Sequence, residues 1–166
     1  MNKVMQVIGR AQRALESAAF AEEGDRAGAL SMTREHRRVL LALRGLEGDA
    51  RTMTYALNTC KRVGSGLDVL CVADRALSDA DLRSVLAPFL ANLAEAGIPC
   101  RPTSAAGCIK EQIIRYTKAH PEVSFVVVES AGVLDRGCGI DDERRLSKLW
   151  KRLTCPLVVV SDPARA

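Results

Sequence analysis

The amino-acid sequence predicts an α/β protein with an open, five-stranded parallel sheet flanked by helices. From Arg37 onward, short aliphatic runs alternate with longer segments of helical period, which is the pattern of repeated strand-helix units. Four of the five aliphatic runs are almost continuously apolar, as expected for parallel strands that helices cover on both faces. The 166 residues are enough for one domain with a single core.

The predicted strands share a β-branched or aliphatic composition. They cover residues 38–43, 67–73, 98–103, 124–129 and 156–161. The third run, Ile-Pro-Cys-Arg-Pro-Thr, is the most polar of the five. Because an edge strand is less buried than a central one, we expect the third strand at an edge of the sheet.

Four helices are predicted between these strands, at residues 49–63, 78–96, 107–119 and 141–153. Asp49 and Ser78 stand where N-cap residues are favoured, and Gly64 and Gly97 stand where helices end. The last helix begins with three carboxylates, which suit the positive end of a helix dipole. Its apolar residues recur at helical spacing, so Trp150 is expected to pack on the sheet.

Residues 1–36 are expected to form an N-terminal helical arm outside the α/β domain of residues 37–166. Apolar residues recur at intervals of four and three, which predicts an amphipathic helix over about residues 2–22. These residues are Val4, Ile8, Ala11, Leu15 and Ala18. Residues 24–31 are read as a flexible connection. Two heptads are too few for an isolated coiled coil, so the arm should dock on its own domain or on a partner.

Composition and charge exclude several classes of protein. The net charge of +4 is mild and scattered, so we expect no nucleic-acid partner. The longest apolar runs are far too short for a membrane span, and the N-terminus lacks the apolar region of a secretory signal. The basic run Arg34, His36, Arg37 and Arg38 is interpreted as a solvated approach to the first strand. His36 and His120 lie far apart, which argues against a zinc site.

The six cysteines could make three disulfides, but a chain of this length with an aliphatic core does not need them, and no pair has C-x-x-C spacing. We therefore expect a reducing cytoplasm. Four cysteines lie in or beside apolar segments and are expected in the core, namely Cys60, Cys71, Cys100 and Cys155. Cys108 begins the third helix and Cys138 stands between two glycines. They could form a thiol sensor, although the interpretation as two incidental cysteines is favoured.

Over about residues 37–162, the order of elements resembles that of the universal stress protein family. The pieces that carry the resemblance are KRVGSGLDVLCVAD at 61–74, GCIKEQI at 107–113 and TCPLVVV at 154–160. The resemblance implies an open five-stranded parallel sheet. It also implies a homodimer through the closing strand from Leu157 to Val160, whose apolar edge would pair with a second copy.

Nucleotide-binding members of that family carry an Asp after the first strand and a Gly-x2-Gly-x9-Gly-Ser/Thr loop after the fourth. Here Arg44 occupies the place of the Asp, and of the glycine loop only Gly132 remains in register. The following helix begins with carboxylates, which would repel a triphosphate. We therefore expect no cofactor, and no ATP held in the usual family manner.

The resemblance then implies a regulatory or adapter protein of the stress response, which could have an unidentified protein partner. The sequence shows no Ser/His/Asp or Cys/His arrangement, so we do not expect an enzyme. The alternative is a nucleotide-binding protein or weak nucleotide hydrolase that uses a rearranged loop. Its residues would be Arg44, Gly45, Ser130, Gly132, Arg136, Gly137 and Gly139. A carboxylate site of Glu47, Asp49 and Asp74 is less favoured, because Asp49 reads as a helix cap and Asp74 as a turn residue. The thiol sensor is the further alternative.

Overall fold

A computed structural model describes residues 36–46, 48–135, 138 and 151–160. The described elements are, in chain order, β1 (Arg38–Arg44), α1 (Ala50–Val63), β2 (Gly66–Ala73), α2 (Asp79–Glu95), β3 (Cys100–Ala106), α3 (Ile109–Ala119), β4 (Val123–Val128), α4 (Ala131–Asp135) and β5 (Leu157–Val159). The five strands form one sheet in the order β3-β2-β1-β4-β5. Every strand pair is parallel, so the predicted fold class is confirmed.

The central strands are buried on both faces, as their apolar runs predict. Leu41 lies opposite Val69 of β2 and Val127 of β4, and these side chains belong to the core on the face that carries α1 and α2. Leu40 points to the other face, where it shares a second core with Ile113 of α3. Alternate residues of each central strand therefore fill two cores, one on each side of the sheet.

The ends of α1 and α2 follow the predicted capping residues. The Asp49 carboxylate accepts hydrogen bonds from the Thr52 amide at 3.1 Å and from the Thr52 hydroxyl at 2.9 Å. The Ser78 hydroxyl accepts from the Asp81 amide at 3.2 Å. Gly64 ends α1 with φ 64°, a left-handed conformation that glycine adopts without steric cost.

Three elements differ from the sequence prediction. Strand β3 lies at an edge as expected, but it covers Cys100–Ala106 instead of 98–103, because an edge strand can continue through small and polar residues. Strand β5 is only three residues long. Helix α4 was not predicted, since five residues are too few to show a helical period.

Several predictions concern residues outside the described part of the chain. They include the arm, apart from His36, and the predicted helix at 141–153, of which residues 151 and 152 are helical. Among the helices that are described, none combines the length and the apolar character needed to cross a bilayer.

The prediction that Arg38 is solvated is wrong. Its side chain is 1% exposed, and its Nε donates to Oδ1 of the fully buried Asp68 at 2.5 Å. Its Nη2 donates to the Leu67 carbonyl at 2.7 Å and to the Pro99 carbonyl at 3.3 Å. Because β1 lies inside the sheet between β2 and β4, its first side chain is covered, and the charge is stabilised by a carboxylate on the next strand. His36 and Arg37 are exposed, as expected.

Candidate functional site

The carboxyl ends of β1 and β4 define the crevice in which open parallel sheets bind ligands. Chain connections from β1 lead towards β2 and β3, whereas β4 leads to β5 at the opposite edge, so the strand order reverses between β1 and β4. Gly45 follows β1 with φ 79°, and its amide donates to the Val72 carbonyl at 2.8 Å. Glu129 and Ser130 follow β4.

Arg44 is the last residue of β1, and its guanidinium joins three neighbouring segments. Nη1 donates to the Gly107 carbonyl at 2.7 Å, and Nη2 donates to Asp74 Oδ1 at 2.7 Å. The Arg44 side chain is 16% exposed, whereas that of Asp74 is 97% exposed. The cation at the crevice is therefore bonded to the loop after β2 and to the loop after β3.

The acidic side chains near the crevice have structural partners. Asp49 caps α1 through its two bonds to Thr52, and Asp74 pairs with Arg44. Glu47 lies outside the described residues. The structure thus agrees with the favoured interpretation of Asp49 and Asp74 and does not bring the two together as a catalytic carboxylate pair.

Cys108 and Cys138 form a disulfide between residues 30 positions apart, with their Cα atoms separated by 4.8 Å. Cys108 is the N-cap residue of α3 and makes no side-chain capping bond. Cys138 follows α4, and its Sγ lies 3.6 Å from the Leu134 carbonyl. The interpretation of these residues as two incidental cysteines is therefore wrong. Each is the other's disulfide partner, because the loops after β3 and β4 meet at the carboxyl ends of the strands.

Gly107 links the disulfide to Arg44. It precedes Cys108, accepts the Arg44 bond through its carbonyl, and donates its amide to the Ala73 carbonyl at 3.0 Å. Its φ of 104° lies in a region that residues with a Cβ rarely adopt. The disulfide and the Arg44 contacts thus share one short loop.

The remaining cysteines differ from this pair in their burial. Cys60 and Cys71 are buried in the core, as predicted, whereas Cys100 and Cys155 are only partly buried. Burial raises the pKa of Cys71 to about 11 and that of Cys100 to about 12, and burial also raises the pKa of Cys155. These thiols are neutral near pH 7, which makes them poor nucleophiles.

The residues of the nucleotide-binding alternative are only partly described. Arg44 and Gly45 end β1, and Ser130 and Gly132 follow β4, which pairs directly with β1. Ser130 Oγ accepts from the Val133 amide at 3.4 Å, and a Cβ at Gly132 would lie 3.8 Å from the same Ser130 Oγ. Arg136, Gly137 and Gly139 lie outside the described residues. Within the described ranges, no group of three His, Cys, Asp or Glu side chains converges as a metal site would require.

Comparisons with known proteins identify the fold. No protein-family model and no curated protein matches the chain. A universal stress protein family member from Burkholderia pseudomallei superposes with a TM-score of 0.54 and 17% identity, over 75% of this chain and 95% of that one. A family member from Arabidopsis thaliana with AMP bound has a TM-score of 0.51 and 20% identity, over 78% and 93%.

A third solved structure, a universal stress protein in complex with cAMP, has a TM-score of 0.52 and 13% identity, over 75% of this chain and 96% of that one. The chain therefore has the fold of the universal stress proteins, as its sequence indicated. At these identities the likeness establishes the fold, and the chemistry of the crevice rests on this chain's own residues.

Proposed function

We propose that this protein is a universal stress protein-like regulator or adapter that acts without enzymatic activity and does not hold ATP in the usual family manner. The observation that supports the proposal is the pair of bonds from Arg44 to Gly107 and Asp74. They stand at the place where the resemblance implies a ligand-binding Asp.

The chemical character of Arg44 is the opposite of that of an Asp. A carboxylate accepts hydrogen bonds from the amino and hydroxyl groups of a nucleoside, whereas a guanidinium can only donate. Two of the five N–H donors of Arg44 are already bonded to the Gly107 carbonyl and the Asp74 carboxylate, so a ligand group that used these two donors would have to displace both acceptors. Both bonds are exposed, so water can replace a lost partner, and displacing them costs under about 1 kcal/mol.

Isothermal titration with ATP, ADP and AMP tests this proposal on nucleotide-free, full-length protein. We expect no saturable binding below about 1 mM, a concentration that corresponds to roughly 4 kcal/mol of binding free energy. Arg44→Asp introduces a carboxylate at the crevice. Arg115→Asp, on the exposed surface of α3, is the control, because it makes the same charge change away from the crevice. Micromolar affinity of the unaltered protein for any of the three nucleotides would overturn the proposal.

Nucleotide binding or weak nucleotide hydrolysis through a rearranged loop is the rival outcome of this titration. It is favoured by the structural neighbours with AMP and cAMP and by the position of Gly45, Ser130 and Gly132 after the carboxyl ends of β1 and β4. If it were correct, the AMP or ATP titration would saturate, and Gly132→Val would weaken the binding.

A thiol redox sensor is the second candidate function, and the Cys108–Cys138 disulfide favours it. In a reducing cytoplasm, where we place the protein, persistent disulfides are rare, and those that form are usually transient and sensing. A protein dithiol would reduce the Cys108–Cys138 disulfide by thiol-disulfide exchange and would itself be oxidised. Two electrons and two protons pass to Cys108 and Cys138, and the reductant becomes a disulfide.

Equilibration in buffers of defined thiol-disulfide ratio, followed by mass spectrometry of alkylated protein, tests the sensor. We expect a reversible change of two alkylated thiols, which Cys108→Ser abolishes and Cys155→Ser leaves intact. A disulfide that stays oxidised at every ratio found in a reducing compartment would refute sensing.

We further propose that the protein is a homodimer through the closing strand. Strand β5 lies at the edge of the sheet, and Val159 is 36% exposed. An apolar edge strand is a template for a second strand, and two-fold pairing would close the contact without forming a fibre.

A further inference from the structure

A groove runs along the outer surface of the helix layer, between α1 and α2. Its volume is about 610 Å³. Met53 and Leu57 of α1 and Phe89 of α2 form its apolar part, and Lys61 and Glu95 lie at the ends of the two helices. Met53 and Leu57 are only partly buried, so this face of α1 presents apolar surface to an occupant. We call this feature the α1–α2 groove.

The side of α1 that lines the groove has the spacing of a helix-packing seam. Five residues of α1 line the groove, and four of them recur at intervals of four, three and four, at Ala50, Thr54, Leu57 and Lys61; the fifth is Met53. The apolar stripe predicted in the N-terminal arm has the same intervals, at Val4, Ile8, Ala11 and Leu15. Helices that pack side by side use this repeat, because it keeps one row of side chains facing the partner.

The chain leaves the described structure beside one end of this groove. The Gly66 amide donates to the Arg37 carbonyl at 2.9 Å, and α1 ends at Val63, three residues before Gly66. The arm therefore starts next to the end of α1 that carries Lys61. The 13 residues from 24 to 36 can span at most about 45 Å, which exceeds the roughly 21 Å length of the 14-residue helix α1.

We propose that residues 2–22 dock as a helix in the α1–α2 groove of their own chain, with the apolar stripe against Met53, Leu57 and Phe89. A tether of this length holds the arm at an effective concentration in the millimolar range. Docking also supplies the tertiary contacts without which a single amphipathic helix is marginal in water. The arm thereby adds a second helical layer on the side of the sheet that carries α1 and α2.

Photo-crosslinking of the full-length protein tests the proposal. Benzoylphenylalanine is introduced at the position of Ile8, and the control carries it at Gln6, on the opposite side of the predicted helix. We expect the Ile8 probe to react with α1 or α2, above all with Met53, in a species of monomer mass. Reaction with β5, reaction only in a species of dimer mass, or a yield no greater than that of the Gln6 control would overturn the proposal.

A second measurement does not depend on the photoprobe. Within the docked segment 2–22, trypsin can cleave after Lys3, Arg10 and Arg13, and docking should slow these cleavages. We expect Leu57→Asp, which places a charge in the groove, to accelerate cleavage at least tenfold. Asn58→Asp makes a charge change on an exposed part of α1 that does not line the groove, and it should leave the rate unchanged. Equal rates in the two variants, with circular dichroism showing both folded, would contradict docking.

Discussion

The buried pair of Arg38 and Asp68 yields the sharpest test of how this fold is stabilised. Both side chains are fully covered, at 1% and 0% exposure, and Asp68 Oδ2 accepts no hydrogen bond among the described residues. Removal of one partner leaves an uncompensated charge in the interior, which costs about 3–5 kcal/mol. We therefore expect Asp68→Leu and Arg38→Met each to lower the free energy of unfolding by about that amount.

The double variant Arg38→Met/Asp68→Leu should behave differently, because it removes both charges. Its remaining cost comes from the Leu67 and Pro99 carbonyls, which lose their Arg38 donor, and we expect it to be about 1–3 kcal/mol. Urea unfolding followed by far-ultraviolet circular dichroism measures all three variants. Arg101→Met is the control, since it breaks an exposed pair with Glu122 and should cost under about 1 kcal/mol.

Two results would refute this reasoning. One is a single substitution that costs less than about 1 kcal/mol, since that value is typical of an exposed ion pair. The other is a double variant whose loss equals the sum of the two single losses. Additive losses would mean that Arg38 and Asp68 act independently, contrary to their direct contact.

Three further predictions concern the crevice, the cysteines and the sheet edge. Arg44→Ala should lower the unfolding free energy by less than about 1 kcal/mol because its ion-pair partner is exposed, and a thermal melt showing a much larger loss would contradict this. In the reduced protein at pH 8, iodoacetamide should modify Cys71 and Cys100 later than Cys108 and Cys138, because their raised pKa values of about 11 and about 12 keep them neutral until the pH approaches those values. Labelling of either before Cys108 and Cys138, measured by mass spectrometry, would count against this. Val159→Lys should weaken self-association at least tenfold in light scattering, and an unchanged dimer would exclude pairing through β5.

The sequence predicted the fold best where burial alone determines the pattern of apolar residues. The sequence was sufficient to predict the apolar runs of β1, β2 and β4 and the caps Asp49 and Ser78. Each of these features is set by residues close together in the sequence. Strand β3 was displaced by a few residues, since at an edge the alternation of apolar and polar side chains is weak.

The contacts that were missed connect distant parts of the chain. Arg38 contacts Asp68, and Arg44 contacts Asp74, in each case 30 residues along the sequence. In the register of β1 and β2, Arg38 lies opposite Gly66, so both acidic partners lie two positions beyond direct opposition. Asp68 gave one usable signal, because a lone carboxylate inside an apolar strand requires a partner.

The disulfide gave no such signal. Cys108 and Cys138 follow different strands, and only the topology of the sheet brings the two loops together at the carboxyl ends of the strands. No local property of either cysteine distinguishes a paired thiol from a free one.

The covalent link between Cys108 and Cys138 also bears on how long the folded protein survives. It closes a loop of about 30 residues, and in the chain-entropy account such a constraint on the unfolded chain is worth roughly 3–4 kcal/mol. The total stability of a domain is only about 5–15 kcal/mol, so reduction would remove a large share of it. Because proteases act on unfolded chains, a change of this size alters abundance several-fold or more. Oxidising conditions would therefore accumulate the protein by slowing its turnover, without any change in its synthesis.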